Sequence, residues 1–386
     1  MHDVVVIGAG PAGLQAARQL SSRNLDVVVL EEHALVGHPV HCTGILARSA
    51  FQEFDLPKDT ILGGLDTARF RSPGGRDVVY HPERLEAVVV DRALFDLRLA
   101  DCAVAAGATL RCGARAIDLR IDADSVSIDV AGAVPIRART CILACGARYG
   151  LHRRLALERP RLLLQSAQAE VPAARPGDVE IHFGSESAPK GFGWAVPVVR
   201  GTRSFARIGV MCATDAPQYF QRLMDHVGTR WGLDTRAAPP PLLKVLPLSV
   251  VPRTYGDRLL LIGDAAGIVK ATTGGGIYYS LLTATIAADV MAAALASGDV
   301  QAESLAEYER LWREYLGAEL AAQRSLRAAA QKMSDADIEG LFELALTDGI
   351  MPIVRQFATF NRHRELILEL FKHPPARKFF FGSMVS

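Results

Sequence analysis

The sequence predicts an α/β fold: a Rossmann-like dinucleotide-binding domain assembled from separated segments, interleaved with an antiparallel β-rich domain and followed by a helical region. Three observations predict it. Residues 3–32 read as strand, glycine turn, helix and a second strand ending in an acid. Residues 151–251 are β in texture, with short alternating runs broken by turn residues. Nucleotide-fold patterning then returns near residue 258 and passes into helices that run to the C terminus. The boundaries implied are 1–60, 91–150 and 252–298 for the nucleotide domain, 61–90 and 151–251 for the β-rich substrate domain, and 299–386 for the helical region.

The β-branched run Val4–Ile7 stops at Gly8-Ala9-Gly10-Pro11-Ala12-Gly13, after which Leu14, Ala17 and Leu20 recur on one helical face. A second apolar run, Val27–Leu30, ends at Glu31. Each part has a job in holding a dinucleotide. Gly8 permits the tight turn, Gly10 lets the backbone approach a pyrophosphate, and Gly13 lets the helix lie close on the sheet. The helix N terminus offers unpaired N–H groups and a positive dipole end to that pyrophosphate. Glu31 can accept hydrogen bonds from an adenosine ribose and would repel a 2′-phosphate. A lone GxGxxG is weak; the flanking strand, helix and acid make this one specific.

With 386 residues, the chain has length for two or three domains and a sizeable core. Its 49% hydrophobic and 22% charged content is ordinary for a soluble protein, and a net charge of +1 gives no nucleic-acid footprint. Cys42, Cys102, Cys112, Cys141, Cys145 and Cys212 show neither metal-ligand nor secreted-framework spacing, so reduced thiols in a cytoplasmic protein are expected. Cys141 and Cys145 fall on one expected strand, too far apart along it to bridge. The strand starting at residue 3 leaves no place for a signal peptide. Ile277–Ala296 is strongly apolar, but Asp289 and its threonines favour a buried alanine-rich helix over a membrane span.

Further along, Gly37-His38-Pro39-Val40-His41-Cys42-Thr43-Gly44-Ile45 has the small and polar texture of a ligand-wrapping loop. Ala68–Tyr80 reads as a hairpin about Ser72-Pro73-Gly74-Gly75. Asp91–Ala106 is helical, with Leu94, Phe95, Leu97 and Leu99 as its apolar positions, and Thr109–Cys112 returns to strand. Ile117–Val130 and Ile136–Leu143 alternate like antiparallel strands. Pro239–Pro241 is a rigid linker into an edge segment, Leu242–Val251. Gly274-Gly275-Gly276 opens the helix from Ile277; beyond Glu303, Leu305, Tyr308, Leu311, Trp312, Tyr315 and Leu316 form one helical stripe, and Ser334–Asp337 is an N-cap pattern. No second GxGxxG follows a strand, so a single resident dinucleotide is expected.

Three motifs coincide in order: GAGPAG with Glu31, Ile262-Gly263-Asp264-Ala265-Ala266-Gly267, and Gly274-Gly275-Gly276-Ile277. Together they resemble the group-two, p-hydroxybenzoate-hydroxylase-like FAD-dependent oxidoreductases. The stretch Gly37–Ile45 and the segment Pro189–Pro197 narrow the resemblance to the geranylgeranyl reductase family, whose members reduce isoprenoid double bonds in lipid or chlorophyll precursors. That family's PxxYxWxFP motif keeps Pro189, Trp194 and Pro197 here, with Phe192 for its tyrosine and Val196 for its phenylalanine. The resemblance spans residues 1 to about 320.

It implies a Rossmann-like FAD-binding domain. Gly8, Gly10, Pro11, Ala12, Gly13 and Glu31 would hold the diphosphate and ribose, and Ala116 would meet the adenine by its backbone. Cys42, Thr43 and Ile45 would pass along the flavin, Arg92 would reach the ribityl-phosphate region, and Asp264, beside Gly263, the ribityl chain. Gly275, Gly276 and Ile277 would face the pyrimidine edge. A helix N terminus aimed there favours the negative charge of a reduced flavin. Phe192, Trp194, Val196 and Pro197 would line the substrate tunnel.

Each of these residues also has a plainer account. Cys42 serves as a proton donor or is a small residue that packs tightly. His38 and His41 flank it as surface histidines or as groups touching the chemistry. Trp194 lines a hydrocarbon channel or is ordinary strand core. Lys270 binds an anionic head group or, the favoured account, is a solvated loop lysine. Ala271 replaces a common proline, and Cys145-Gly146 replaces the usual Asp-Gly, against an aromatic hydroxylase. Arg377-Lys378-Phe379-Phe380-Phe381 seats the enzyme on lipid or packs on the protein body, the default.

The expectation is an FAD-dependent reductase of carbon–carbon double bonds in a prenylated or other long apolar substrate, with Cys42, Trp194 and Gly276 at the chemistry. An external reductant, NAD(P)H or a ferredoxin-type protein donor, would act without a second Rossmann motif. Its other partners would be the apolar substrate and a peripheral membrane contact, with no nucleic acid. The alternatives are a flavin monooxygenase or halogenase, for which no lysine after Lys58 is a convincing candidate, and a non-catalytic flavoprotein or prenyl-lipid escort. A quinone-linked dehydrogenase would carry iron–sulfur cysteine spacing, which is not seen.

Overall fold

The computed structural model describes residues 1–381. Residues 382–386, the end of the expected helical region, lie outside the described ones. The helices are α1 (Pro11–Ser21), α2 (Ala50–Glu53), α3 (Arg92–Ala105), α4 (Gly150–Arg154), α5 (Ala216–Trp231), α6 (Ile277–Ser297), α7 (Ala302–Ala330), α8 (Asp335–Leu346), α9 (Met351–Phe357), α10 (Arg364–Lys372) and α11 (Pro374–Phe381).

Val4, Val5, Val6, Val28 and Val29 are fully buried, which demands a strand covered on both faces. They form the centre of the first sheet, ordered Tyr255–Gly256, Leu259–Leu261, Ile136–Leu143, His2–Ile7, Val27–Leu30, Thr109–Arg111. Packed on it are α1, α3 and α6, together with Leu305, Tyr308, Trp312, Leu316 and Leu320 of α7. The Tyr308 hydroxyl donates to the Leu261 carbonyl at 3.0 Å. Helix α6 is long and apolar enough to cross a membrane, yet most of it is packed inside the protein, as Asp289 and the threonines suggested.

One strand plays two parts. Ile136–Leu143 pairs antiparallel with Val126–Val130 through Ile136–Ala138, then parallel with His2–Ile7 and with Leu259–Leu261. The antiparallel expectation is therefore right only for its first half. The reason is in the burial: the first residues alternate, whereas Thr140–Leu143 are buried throughout and enter the parallel core. Cys145 lies beyond that strand's end, so it does not share a strand with Cys141, and both are free thiols.

The second sheet has seven strands, ordered Leu242–Pro247, Leu163–Pro172, Arg203–Cys212, Phe192–Arg200, Val179–His182, Ala68–Arg71, Asp77–Tyr80. The expected edge segment and hairpin are both present. Unforeseen were α5 and the three-stranded sheet of Ile45–Ala47, Ala87–Val90 and Ile61–Leu65. Asp215 caps α5 by accepting from the Gln218 N–H, and Gly232 ends it in the left-handed conformation. Helix α5 covers one face of the seven-stranded sheet, over Ala195, Ile208 and Val210. The other face presents Trp194, Val196 and Met211 to Val89, Leu248 and Ala271.

Two expected apolar positions face solvent instead: Leu97 on α3 and Tyr315 on α7. Leu97 sits on the opposite side of α3 from the buried stripe of Phe95, Leu99 and Ala103, whereas Tyr315 flanks the stripe of Leu305, Tyr308, Trp312 and Leu316 at its outer edge, one heptad after Tyr308. The Ser334–Asp337 capping box opens α8 as read. In the tail, Phe380 is buried and Phe379 lies against Gly340, so its aromatic part packs on the protein body.

Candidate flavin and substrate site

The first glycine turn is fixed by lack of room. Gly8 has φ +110°, and a Cβ there would fall 2.4 Å from the Ala144 carbonyl oxygen. A Cβ on Gly13 would fall 2.0 Å from the Gly8 carbonyl oxygen, so α1 can approach the sheet only with glycine at that position. Gly10 is different: nothing lies within 4 Å of its Cβ direction. It is also the N-cap of α1 with no side-chain cap, and Pro11 follows in the first turn. Closed at Gly8 and Gly13, open at Gly10 and with uncapped N–H groups, this cradle fits a pyrophosphate. Glu31 ends the second strand; its Oε2 accepts from the Ala9 N–H at 2.9 Å and its Oε1 from the His33 N–H at 3.0 Å. The Glu31 carbonyl accepts from the Ala114 N–H, two residues before Ala116 starts the next strand.

The second turn lies against the first. A Cβ on Gly263 would meet that of Ala12 at 3.1 Å. Asp264 follows in a short 3-10 turn, and its Oδ2 holds the Lys244 ammonium at 2.9 Å. Asp264, the main cause, raises the Lys244 pKa against the effect of burial. A Cβ on Gly276 would fall 3.0 Å from Asp264 Oδ1, and one on Gly275 3.4 Å from Thr273 Oγ1. Gly276 is the N-cap of α6, again without a side-chain cap, and Ile277 is the first helical residue. Two uncapped helix ends thus meet across Ala12 and Gly263.

The Gly37–Ile45 loop forms the seam to the seven-stranded sheet. The Thr43 hydroxyl donates to Gln168 Oε1 at 2.6 Å, and its carbonyl accepts from Arg207 Nη1 at 2.5 Å. Ile45 pairs with Val89 in the small sheet. Cys42 lies beside Arg92 and Lys244. Arg92 is buried; its Nη2 donates to both carboxylate oxygens of Asp96 at 2.7 Å, and its Nε is left without a partner. His41 is half-buried, and burial, then Lys244 and Arg148, lower its pKa so that it is neutral near pH 7, whereas His38 is exposed.

On the substrate side, Phe192, Trp194 and Val196 share one strand face, and Pro197 falls on the other by alternation. The Trp194 ring lies over Gly209, where a Cβ would fall 2.3 Å from it, and meets Phe192 edge-on at 5.9 Å. Its indole N–H is buried without a hydrogen-bond partner. The flavin-side loop closes on this face: a Cβ on Gly274 would lie 3.3 Å from Leu246 Cδ1 and 3.5 Å from Met211 Sδ.

Two expectations about lysines need correction. Lys270 is not a solvated loop lysine: it is 5% exposed and donates to the Phe360 carbonyl at 2.5 Å and to Asn361 Oδ1 at 3.0 Å. Burial pulls its pKa down to about 7. Nor do lysines near the site stop at Lys58, since Lys244 reaches Asp264. Sequence reasoning passed over Lys244, Arg207 and Arg327. Lys244 had a signal, as the one charge within the apolar Leu242–Pro247 strand. The two arginines had none: Arg327 binds only backbone carbonyls, and Arg207 binds the Glu170 carboxylate and the Thr43 and Val90 carbonyls, all far away in sequence.

Residues 2–157 match the pyridine nucleotide-disulphide oxidoreductase family. Digeranylgeranylglycerophospholipid reductase 2 of Methanothermobacter thermautotrophicus is 32% identical over 88% of this chain and 90% of its own length. A geranylgeranyl bacteriochlorophyll reductase-like protein from Thermoplasma acidophilum superposes with a TM-score of 0.84 at 22% identity, over 100% of this chain and 99% of that one. The halogenase PltM, solved with phloroglucinol and FAD, shares the fold with a TM-score of 0.70 at 18% identity, over 100% of this chain and 86% of that one. At 32% identity across nearly its whole length, the chain belongs to the geranylgeranyl reductase family of FAD-dependent oxidoreductases.

Proposed function

We propose that this chain reduces carbon–carbon double bonds in a prenylated, long apolar substrate. The observation that carries the reading is the contact between the two halves of the site. The Gly274–Gly276 turn, at the uncapped start of α6, abuts Met211 and Leu246 on the same apolar face as Trp194 and Val196. A prenyl chain offers little besides area to bind by, and an apolar wall beside the cofactor turn supplies area. The archaeal relative is named for reducing a geranylgeranyl lipid, which agrees.

When bound, reduced FAD supplies the hydride. Gly8, Gly10, Pro11, Ala12 and Gly13 would hold its diphosphate, and Glu31 and Ala116 its adenosine end. Thr43, Ile45 and Arg92 would run along it, with Gly263 and Asp264 toward the ribityl chain. Gly275, Gly276 and Ile277 would offer it the positive end of α6. Phe192, Trp194 and Val196 orient the alkene and exclude water, and Pro197 shapes their strand from its other face. The Cys42 thiol, beside the Arg92 guanidinium, would pass a proton to the second alkene carbon. Electrons enter from NAD(P)H or a ferredoxin-type donor.

The test is anaerobic reduction of the FAD-loaded protein followed by a screen of prenyl compounds, watching flavin absorbance. Reoxidation by a polyprenyl alkene with formation of its saturated product is expected. No reoxidation by any of them, with oxygen consumed only when an aromatic substrate is present, would replace the reading with a monooxygenase or halogenase. The amine of Lys244 beside Asp264 is the observation that favours that second reading.

A further inference from the structure

The Lys270–Gly276 loop leads into α6 without a side-chain cap, and its small residues supply little to fix it. Lys270 and the Thr272 hydroxyl tie its start to Phe360, Asn361 and His363, and its backbone carbonyls are held from α7. The buried Arg327 guanidinium donates from Nε to the Ala271 carbonyl at 2.8 Å and from Nη2 to the Thr272 carbonyl at 2.6 Å. Its third arm, Nη1, donates to the Lys190 carbonyl at 3.1 Å. Lys190 has φ 59°, and at Gly191 a Cβ would fall 1.8 Å from the Met211 carbonyl oxygen, so this junction admits little variation. The strand bearing Phe192, Trp194 and Val196 starts at the next residue.

One side chain therefore joins the flavin-side loop to the root of the substrate-side strand. Its neighbour one turn earlier, Gln323, accepts from the Ala271 N–H at 3.0 Å and donates to Glu319 Oε1 at 2.7 Å and to the Tyr279 hydroxyl at 2.9 Å. Both backbone polar groups of Ala271 are thus held by α7. Burial lowers the Arg327 pKa to about 10, and no carboxylate offsets it. A cation this deep is costly unless its donors are satisfied. A planar fork addressing three carbonyls at fixed angles is a job that neither lysine nor a neutral side chain performs.

We propose that Arg327 is a positioning residue that sets the spacing between the flavin-facing turn Gly274–Ile277 and the apolar strand Phe192–Pro197, and hence the reach from cofactor to alkene. This rests on the assignment of that turn to the flavin made above.

The test compares Arg327→Lys and Arg327→Met with the unaltered protein, each with and without FAD. In the apoprotein, amide hydrogen exchange at residues 271–276 should quicken about tenfold or more in both variants, since the loop loses the anchor on its Ala271 and Thr272 carbonyls. In the FAD-loaded enzyme, kcat for alkene reduction should fall about tenfold or more while KM stays within about twofold, as misplacement predicts. Arg327→Lys should not rescue. A folded Arg327→Lys protein with unaltered exchange and kcat would overturn the proposal; if Arg327→Met does not fold, this variant decides alone. Gly276→Val separates the two claims. If it binds FAD like the unaltered protein, the flavin assignment fails, whatever the exchange data show. If it loses FAD while Arg327→Lys keeps unaltered exchange and kcat, the positioning role alone fails.

Discussion

Two uncapped helix N termini meet at the cofactor site, and they are held by opposite means. At α1 the turn is locked by backbone sterics: Gly8 is pressed against Ala144, and Gly13 against Gly8 itself. At α6 the turn is held by side chains more than fifty residues downstream, Gln323 and Arg327. The first device is built of backbone atoms and tolerates no Cβ at Gly8 or Gly13. The second is tertiary and leaves the glycines some room, since the atoms nearest a Cβ at Gly275 and Gly276 belong to side chains. On the proposed flavin assignment, a rigid clasp would hold the far end of the dinucleotide and an adjustable one would lie near the reacting ring, which suits a protein that must anchor a cofactor and still tune its chemistry.

The largest expected effect breaks the α1 turn. Gly13→Ala places a methyl group 2.0 Å from the Gly8 carbonyl oxygen. Helix α1 must then move off the sheet, with overpacking of about 1–3 kcal/mol. FAD affinity in a fluorescence titration should fall about a hundredfold or more. Gly276→Ala meets Asp264 Oδ1 at 3.0 Å, a side-chain atom that can move, and should lose about tenfold at most. Equal losses at the two positions would end the distinction between rigid and adjustable turns.

Asp264→Asn is next, and it acts on the α6 side. It removes the carboxylate that pairs with Lys244 at 2.9 Å and leaves that ammonium without its chief partner. Loss of a charged hydrogen-bond partner is worth about 1.5–3 kcal/mol, or roughly 10- to 100-fold in FAD affinity. Adding Lys244→Met should restore thermal stability but not FAD affinity. Recovery of both would make Lys244 the only group that Asp264 serves.

The same contrast explains what could be read from the sequence. The α1 turn was legible down to single residues because strand, glycines, helix and Glu31 lie within thirty residues and each acts on its neighbours. The Gly274–Gly276 turn was legible as a motif, but its anchors were not. Arg327 binds three carbonyls whose identity leaves no trace in composition or spacing. Lys270 illustrates the same limit: a lysine in a glycine-rich loop reads as solvated until Phe360 and Asn361 close over it. Leu97 failed for a simpler reason, since an apolar residue joins a helical stripe only if the angle places it there; Tyr315 has nearly the angle of buried Tyr308 but lies on the stripe's edge, where nothing covers it.

On the substrate face, Trp194→Ala separates the wall from the clasp. The ring covers Gly209 and meets Phe192, and a Cβ on Gly8, Gly13, Gly263, Gly274, Gly275 or Gly276 would meet other groups first. FAD binding should be unchanged, while kcat/KM for a prenyl substrate falls about tenfold, the worth of one large apolar contact at roughly 1.5 kcal/mol. A parallel loss of FAD would mean that the ring braces the flavin loop instead.

The last expected signal is a pH slope confined to the α6 side. Burial lowers the Lys270 pKa to about 7, with Glu319 opposing the shift; His363 faces the same amine. Below about pH 7 the amine is protonated in folded and unfolded chains alike, and the folded state bears the full cost of a buried cation. Between about 7 and the ordinary lysine value near 10.4 the folded protein has shed that proton and the unfolded chain has not, so stability rises with pH. Urea unfolding should show the unaltered protein gaining on Lys270→Met across that window, with a slope approaching about 1.4 kcal/mol per pH unit. Parallel stability curves for the two proteins would mean that Lys270 stays charged where it donates to Phe360 and Asn361. The tether on the α6 loop would then be a fixed cation, insensitive to pH, and no more adjustable than the sterically locked turn at α1.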